Sequence, residues 1–354
     1  MRVFQRELEH SLINTYKIAV LPGDGIGPEV TAEAVKVLEA TDLNLEFIEA
    51  KVGGRAYVED GDPLPPEAKQ ACDEADAVLF GAVEHHYAPY GIPRKVLIYL
   101  RMEKDAFANV RPLKQYPGVF PQHSAPSWKN VDVVIIRDNA EGFALKHEGS
   151  LWDDMGVDKR VITKLRAQQI NMFAYDYAVK HNRKKIICID KSTWLYADRL
   201  FRSTFQNVAE LFPSIDRESM NIDLAAMLQV QDPNRFDVVV TPDIYGDILS
   251  GIVIGQIGGL GMAPSACIGS EFGFFEPIHG TAFDIAGKGV ANPIASILSA
   301  KLMLEWLDEV EEASRIENAV CRVLEDGEIR TPDIGGCSST ADVGDAIASR
   351  IEKS

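Results

Sequence analysis

Apolar residues fall along the chain in short blocks with two different periods. Residues 17–25, 43–50 and 75–83 have the apolar runs or the alternation typical of β-strands. Residues 28–40 and 65–75 have apolar positions at helical spacing instead. The amino-terminal part therefore predicts strands that alternate with helices.

The same alternation continues through the rest of the chain. Further strands are predicted at 131–138, 184–191 and 236–243, with helices between them. Residues 291–327 are apolar at helical spacing and acidic on the opposite face, so we expect two packed helices there. This order of elements predicts an α/β fold with a largely parallel sheet.

One uncharged stretch, residues 248–270, is long enough to span a bilayer. It contains a GxxxG pair, Gly251 and Gly255, but also Gln256 and Pro264. These residues favour a buried helix followed by a glycine-rich loop over a membrane span.

The composition is that of a globular protein, with 46% hydrophobic and 25% charged residues among 354. This length suits about two domains or one large α/β unit. The net charge of −17 disfavours nucleic acid and anionic membranes as partners. Five dispersed cysteines without a CxxC pair indicate a reducing compartment, and residues 1–17 lack the apolar core of an export signal. We therefore expect a cytoplasmic protein.

Three arginines are candidate ligands for carboxylates. Arg101 and Arg111 lie close together in the sequence, and Arg137 ends the apolar run of a predicted strand. Ligands bind at the carboxyl ends of strands in open α/β sheets, and a guanidinium can hold a carboxylate through two hydrogen bonds. The spacing alone is equally compatible with three unrelated surface arginines.

Asp243 and Asp247 are candidate metal ligands. On a helix their four-residue spacing directs both carboxylates to the same side, and such oxygens suit Mg²⁺ and Mn²⁺. Acidic capping of a helix N-terminus is the alternative. Lys191 directly follows a predicted strand, where a partly buried lysine can act as a base; a solvated lysine is the alternative.

Two glycine-rich segments are candidates for nucleotide binding. The turn at 23–28 reads GxGxG followed by proline, which alone indicates only a tight turn. Residues 276–292 combine three glycines with His279 and Asp284. Such a loop lets the backbone approach a nucleotide, although by composition alone it is only a loop.

Seven segments, taken together and in order, resemble the β-decarboxylating dehydrogenases, which include 3-isopropylmalate, isocitrate, homoisocitrate and tartrate dehydrogenases. They are LPGDGIGPEV, LR–ANVRP, VVIIRDNAEG, DVVVTPDIYGDILS, IGGLGMAPSACIG, FEPIHGTAFDIAGKGVANP and RTPDIGG. The resemblance implies two α/β domains without the usual Rossmann topology. These are a cofactor-side domain, 1–107 plus 261–354, and a central domain, 108–260, for substrate, metal and dimerisation. It also implies a homodimer whose active sites take residues from both subunits.

The implied reaction is hydride transfer from a small 2-hydroxy acid to NAD, followed by metal-assisted loss of the β-carboxylate. By position, Arg101, Arg111 and Arg137 match the arginines that bind the malate part of the substrate. Lys191 and Asp223 match catalytic residues given to the neighbouring subunit.

The implied cofactors are NAD and Mg²⁺ or Mn²⁺. Asp223 and Asp247 match metal ligands. The cofactor loop contains His279, Gly280, Asp284 and Asn292. Asp284 resembles the NAD-type members, because its carboxylate can bind ribose hydroxyls and would repel a 2′-phosphate.

The chain departs from the family pattern at catalytic positions. Ala144 replaces a proton-donating tyrosine, and Gly251 replaces the second metal aspartate. In an altered enzyme, Asp243 would partly restore the metal carboxylate and His147 would donate the proton. A weak regulatory paralogue that binds ligand without efficient turnover is the alternative.

The residues before the first arginine bear on substrate choice. Leu97 and Ile98 match two leucines of isopropylmalate enzymes, and an apolar pocket suits an isopropyl group. Arg94 and Lys95 lie one turn earlier and could meet an extra carboxylate or lie in solvent. We expect 3-isopropylmalate or a close analogue, with isocitrate, homoisocitrate or tartrate as the alternative.

Overall fold

Strands and helices alternate through most of the chain, as the apolar pattern predicts. The computed structural model describes residues 15–351, except 85, 87, 90, 120–124, 126–127 and 143–149. The strands are β1 (Thr15–Gly23), β2 (Asn44–Glu49), β3 (Ala77–Ala82), β4 (Ala108–Lys114), β5 (Asp132–Asp138), β6 (Ser150–Leu151), β7 (Gly156–Val157), β8 (Lys185–Asp190), β9 (Asp216–Asn221), β10 (Val238–Thr241), β11 (Pro264–Ile268) and β12 (Gly273–Pro277).

The α-helices include the two expected near the carboxyl end. They are α1 (Gly27–Glu39), α2 (Gly53–Asp60), α3 (Pro66–Glu74), α4 (Arg94–Ile98), α5 (Lys164–Lys180), α6 (Tyr196–Ala209), α7 (Ile222–Gln231), α8 (Asp243–Ile257), α9 (Ile294–Trp306), α10 (Val310–Asp326) and α11 (Thr340–Ile351). A single π-helical turn, Tyr99–Glu103, continues α4. The helices predicted from the spacing of apolar residues are therefore confirmed.

Ten of the described strands form one sheet in the order β2-β1-β3-β12-β11-β4-β5-β10-β8-β9. Two outer blocks of four strands are parallel, as expected. The expectation of a largely parallel sheet is confirmed, since six of the nine neighbouring pairs in this sheet are parallel. The centre differs, because β11 and β4 run antiparallel to their neighbours. Only residues 269–272 join β11 to β12, which is too short for the crossover that a parallel pair requires.

Helices cover both faces of the sheet and give three layers. On one face, α1, α5, α6 and α9–α11 share a continuous apolar cluster with the strands. On the other face there are two separate clusters. One joins α3 and α4 to β1 and β3, and the other joins α8 to β5, β8 and β10. The central strands β4 and β11 lie between these two clusters.

The uncharged stretch 248–270 is only partly as predicted. Its helical part belongs to α8, which is buried on the side of Val253 but open at Ile248, Gly251 and Gly255. The expected loop is instead interrupted by strand β11. Within the described ranges, no helix combines the length and the apolar character needed to cross a bilayer.

Candidate active site

Polar side chains occupy the sheet face between the two separate apolar clusters. Asn109 and Arg111 of β4 both point to this face, because Val110 between them is buried in the opposite layer. The strand register places Cys267 of β11 opposite Asn109 on one side and Arg137 of β5 opposite it on the other. Residues distant in sequence therefore become neighbours here.

Arg111 and Arg137 converge on one carboxylate. Nη2 of Arg111 lies 2.8 Å from Oδ1 of Asp247, and Nη2 of Arg137 lies 3.2 Å from Oδ2. Both guanidinium groups are buried, whereas the Asp247 side chain is 51% exposed. Two fixed guanidinium groups that share one exposed carboxylate can bind the carboxylate of a ligand in the same way.

The two guanidinium groups are held from behind by hydrogen bonds. Arg111 donates from Nε to Oδ1 of Asn109 at 2.7 Å and from Nη1 to Oγ of Ser250 at 3.1 Å. Arg137 donates from Nε to the backbone oxygen of Asp243 at 2.8 Å and from Nη1 to Oδ1 of Asn139 at 2.6 Å. Burial, with the nearby arginines, lowers the pKa of Arg137 to about 10, so it stays charged at neutral pH.

Arg101 lies in a cleft of about 150 Å³ beside this pair. Leu97 and Arg111 line the same cleft, and Nη2 of Arg101 lies 3.1 Å from Oε1 of Glu276. Ile98 is half-buried outside the cleft. The structure thus brings the three predicted arginines together with one of the two predicted apolar residues.

The exposed cations Arg94 and Lys95 lie at the start of the same short helix, α4. They are in solvent in this chain, which agrees with one of the two interpretations of their position. They lie one turn from Leu97 and so remain close to the cleft.

Lys191 pairs with Asp223 at the ends of strands β8 and β9. Its Nζ lies 2.6 Å from Oδ1 of Asp223, and the ammonium lowers the pKa of that carboxyl. The backbone N–H of Lys191 donates to Oδ2 of the buried Asp198 at 2.7 Å, and Asp198 is also paired with Arg160 at 2.8 Å. Asp198 therefore fixes the backbone from which Lys191 extends.

The three predicted metal ligands, Asp223, Asp243 and Asp247, do not form one metal site within a single chain. Asp243 is buried, and its carboxylate packs so closely on Gly142 that any side chain there would collide with it. Asp247 and Asp223 are open, with side chains 51% and 67% exposed. In the part of the chain that the structure describes, no three His, Cys, Asp or Glu residues are grouped closely enough to hold a metal ion.

The predicted cofactor residues divide into two groups. His279 and Gly280 line the cleft with Arg101, whereas Asp284 is exposed on the loop that follows. Asn292 is buried; it accepts the backbone N–H of Ile294 at 3.0 Å and donates to Oδ2 of Asp333 at 3.1 Å.

The turn that follows β1 packs against the cofactor loop. The backbone N–H of Ile26 donates to the oxygen of Thr281 at 2.8 Å. Gly25 has φ +62° and lies so close to Thr281 that a side chain would collide with it. The GxGxG turn therefore requires glycine for a close backbone approach.

Sequence reasoning missed the side chains that support the arginines, namely Asn109, Asn139, Ser250, Cys267 and Glu276. Asn109 and Asn139 each lie two residues from an arginine. Within strand β4 the period of two places Asn109 and Arg111 on the same face, and Asn139 directly follows the end of β5. That spacing was a usable signal. Nothing in the sequence indicated Cys267, which reaches the site only through the register of β11 with β4. Ala144 and His147 lie outside the described residues.

Comparisons with known proteins agree over nearly the whole chain. A family model described as isocitrate/isopropylmalate dehydrogenase matches residues 17–347. The 3-isopropylmalate/3-methylmalate dehydrogenase of Methanocaldococcus jannaschii is 41% identical over 96% of this chain and 99% of that protein. The homoisocitrate dehydrogenase of the same organism is 39% identical over 95% of this chain and 98% of that protein. The isocitrate dehydrogenase crystal structure from Methylococcus capsulatus has a TM-score of 0.88 and 36% identity, covering 95% of this chain and 99% of that one.

Proposed function

Because the chain belongs to the isocitrate/isopropylmalate dehydrogenase family, a family of decarboxylating dehydrogenases, we propose that it oxidises and decarboxylates 3-isopropylmalate or a close analogue with NAD. Membership confirms the expected fold class and the expectation of an enzyme acting on a malate-type hydroxy acid. The choice of substrate, cofactor, site residues and assembly is the content of the proposal.

The observation that carries the proposal is that Arg111 and Arg137 both contact the carboxylate of Asp247. Both nitrogen atoms that contact Asp247 are positioned to bind a substrate carboxylate in its place. The adjoining cleft contains Leu97 as an apolar wall and Arg101 as a third cation. A diacid with an apolar branch has the groups that these walls recognise.

Binding and proton transfer are the tasks of the chain's own residues. Substrate carboxylates would displace Asp247 from Arg111 and Arg137 and leave its oxygens free. The Lys191–Asp223 pair of a second subunit would remove the proton of the substrate hydroxyl: Lys191 accepts it after passing one of its own protons to Asp223 or to a water molecule. The neighbouring ammonium lowers the pKa of Asp223, so its carboxylate is ionised at neutral pH.

Family dehydrogenases generally use NAD(P) and a divalent metal, and the residues present fit both groups. Asp247 of one subunit and Asp223 of the other are open carboxylates, the oxygen donors that Mg²⁺ and Mn²⁺ prefer. Gly280 borders the cleft with no atom within 4 Å of its missing side chain, so a nicotinamide can approach the backbone. When bound, NAD accepts the hydride and the cation polarises the substrate oxygen.

A homodimer with shared sites is supported by the apolar surface around α7 and α8. Exposed on it are Leu224 and Met227 of α7 and Ile244 and Ile248 of α8, and Leu151 of the β6–β7 hairpin is also exposed. Such side chains on neighbouring elements are typical of an interface with another chain. A second copy placed there would also explain why one chain holds only part of a metal site.

The dimer is tested by a charge on this surface. Ile248→Asp should convert the dimer to monomers and abolish turnover, since a buried unpaired carboxylate opposes association. Leu165→Asp, on the exposed start of α5, adds the same charge elsewhere and should leave both unchanged. Sedimentation equilibrium measures the oligomeric state of both variants. An Ile248→Asp protein that remains dimeric contradicts the proposed interface.

The proposed domain division, 1–107 plus 261–354 against 108–260, is supported by the two apolar clusters on the site face. Nearly all members of each cluster fall within one proposed domain. We also propose a cytoplasmic location, supported by the five cysteines, which are free in the structure.

Two alternatives remain tied to specific residues. Arg94 and Lys95 near the cleft would favour a triacid such as isocitrate or homoisocitrate. Gly251, open on α8, and Ala144 would favour a paralogue that binds ligand with little turnover.

One substrate panel separates these functions. 3-Isopropylmalate, malate, tartrate, isocitrate and homoisocitrate are supplied with NAD and titrated Mn²⁺, and NADH absorbance and CO₂ release are followed. We expect the highest kcat/KM for 3-isopropylmalate and equal amounts of NADH and CO₂. A triacid with a higher kcat/KM would overturn the substrate, and calorimetric binding without turnover would indicate the paralogue.

A further inference from the structure

We propose that the thiol of Cys267 is a positioning residue that links the supports of all three substrate arginines. This inference rests on the proposed function in one respect, namely that the arginines bind substrate. The hydrogen-bond arrangement itself is independent of which substrate is bound.

Three polar side chains meet at the sulfur of Cys267. Sγ lies 3.5 Å from Oε1 of Glu276, to which it donates. It accepts from Nδ2 of Asn109 at 2.8 Å and from Nδ2 of Asn139 at 3.4 Å. The sulfur therefore uses its single proton toward a carboxylate and its lone pairs toward two amides.

Each of these three partners contacts a different arginine. Oε1 of Glu276 lies 3.1 Å from Arg101. Oδ1 of Asn109 accepts from Arg111 at 2.7 Å, and Oδ1 of Asn139 accepts from Arg137 at 2.6 Å. Cys267 therefore contacts each of the three guanidinium groups indirectly, through one intervening side chain.

The sulfur helps to hold the two amides with their oxygens toward the guanidinium groups. A guanidinium has only donors, so Asn109 and Asn139 must present their oxygens to it and their NH₂ groups away from it. The sulfur accepts from both NH₂ groups. Each group also has a second acceptor, Oγ of Ser265 at 3.2 Å for Asn109 and the backbone oxygen of Ala106 at 3.4 Å for Asn139. Without the sulfur, each NH₂ group keeps a single oxygen acceptor, so each amide is held less firmly against its arginine.

Burial keeps Cys267 in the thiol form that this arrangement needs. The side chain is fully buried, and burial, reinforced by Glu276, raises its pKa to about 12. It therefore retains its proton at neutral pH and remains a donor to Glu276. Because solvent does not reach it, a role as nucleophile or redox centre does not compete with this one.

Kinetics of three variants test the role. Cys267→Ala should raise KM for 3-isopropylmalate about tenfold, the factor that about 1.4 kcal/mol of lost hydrogen bonding produces, with kcat within about twofold of wild type. Cys267→Ser, which keeps a donor and an acceptor, should restore most of the affinity. Cys72→Ala removes the same atom from another buried cysteine of the same apolar cluster and should leave KM unchanged. Equal KM values for Cys267→Ala and Cys72→Ala, with both proteins folded, would overturn the proposal.

Infrared spectroscopy tests the arrangement without turnover. The S–H stretching band that disappears in Cys267→Ala should lie at lower frequency than the band lost in Cys72→Ala, because only the first thiol donates to a carboxylate. In Glu276→Gln the Cys267 band should move to higher frequency. Coincident bands would overturn the hydrogen-bond assignment. If wild type oxidises no member of the substrate panel, the proposed function fails, while these bands still decide the role of Cys267.

Discussion

Asp138 is a buried carboxyl whose titration should be visible in the stability of the whole protein. It ends strand β5 between Arg137 and Asn139. Its Oδ1 accepts the backbone N–H groups of Ala140 at 2.9 Å and Glu141 at 3.3 Å, whereas its Oδ2 is buried with no hydrogen-bond partner among the described residues. Asp138→Asn keeps the accepting oxygen and removes the charge.

The size of this effect on the free energy of unfolding follows from the pKa of Asp138. Burial raises the pKa of Asp138 from 3.8 to about 7, with smaller contributions from the charges of Glu141 and Asp243. Between these values the folded protein holds a proton that the unfolded chain has released, so stability falls as pH rises through this range. At about 1.4 kcal/mol per pH unit the loss reaches about 4 kcal/mol, as an upper bound. The side-chain amide introduced by Asp138→Asn does not titrate, so the variant avoids this loss.

Urea unfolding at matched protein concentration between pH 4 and pH 8 measures the effect. The two proteins should be similar near pH 4, and Asp138→Asn should become the more stable by a few kcal/mol at pH 8. Asp132→Asn, at the half-exposed start of the same strand, removes one charge without this burial and should differ from wild type by less than about 1 kcal/mol at every pH. A difference between Asp138→Asn and wild type that changes by less than about 1 kcal/mol from pH 5 to pH 8 would refute the reasoning.

Three further outcomes concern substrate, cofactor and assembly. Leu97→Ala should reduce the ratio of kcat/KM for 3-isopropylmalate to that for malate about tenfold. Ile98→Ala, outside the cleft, should leave this ratio unchanged. The same ratio in both variants would contradict the assignment of Leu97 to the substrate pocket. Wild type should prefer NAD over NADP about tenfold or more, since Asp284 would face the 2′-phosphate, and Asp284→Asn should narrow that preference; a wild type that prefers NADP contradicts the cofactor assignment. Mixed dimers of Arg137→Ala and Lys191→Ala chains should recover part of the activity that each homodimer lacks, and confirmed hybrids without activity would exclude shared sites.

The elements of the fold were largely predictable because local periodicity determines them. The strand predicted at 131–138 and the helix predicted at 28–40 each agree with the structure within one residue at either end. The antiparallel centre was not predictable in the same way. Strand β11 lies within a stretch rich in glycine and without alternating polar residues, so its pattern did not distinguish a strand from a loop.

In the site, strand alternation predicts which face a side chain occupies but not which residue lies opposite it. Alternation along β4 assigns Asn109 and Arg111 to one face, and this can be deduced from the sequence once the strand is recognised. It does not state which residue of another strand lies opposite, because that depends on the register. The pairing of Cys267 with Asn109 joins positions 158 residues apart and exists only because β11 returns antiparallel beside β4. The arginines can therefore be identified as candidates from sequence, whereas the residues that hold them in position require the sheet. The same limit applies to Lys191 and Asp223, whose proposed role requires a second chain in addition to the fold of the first.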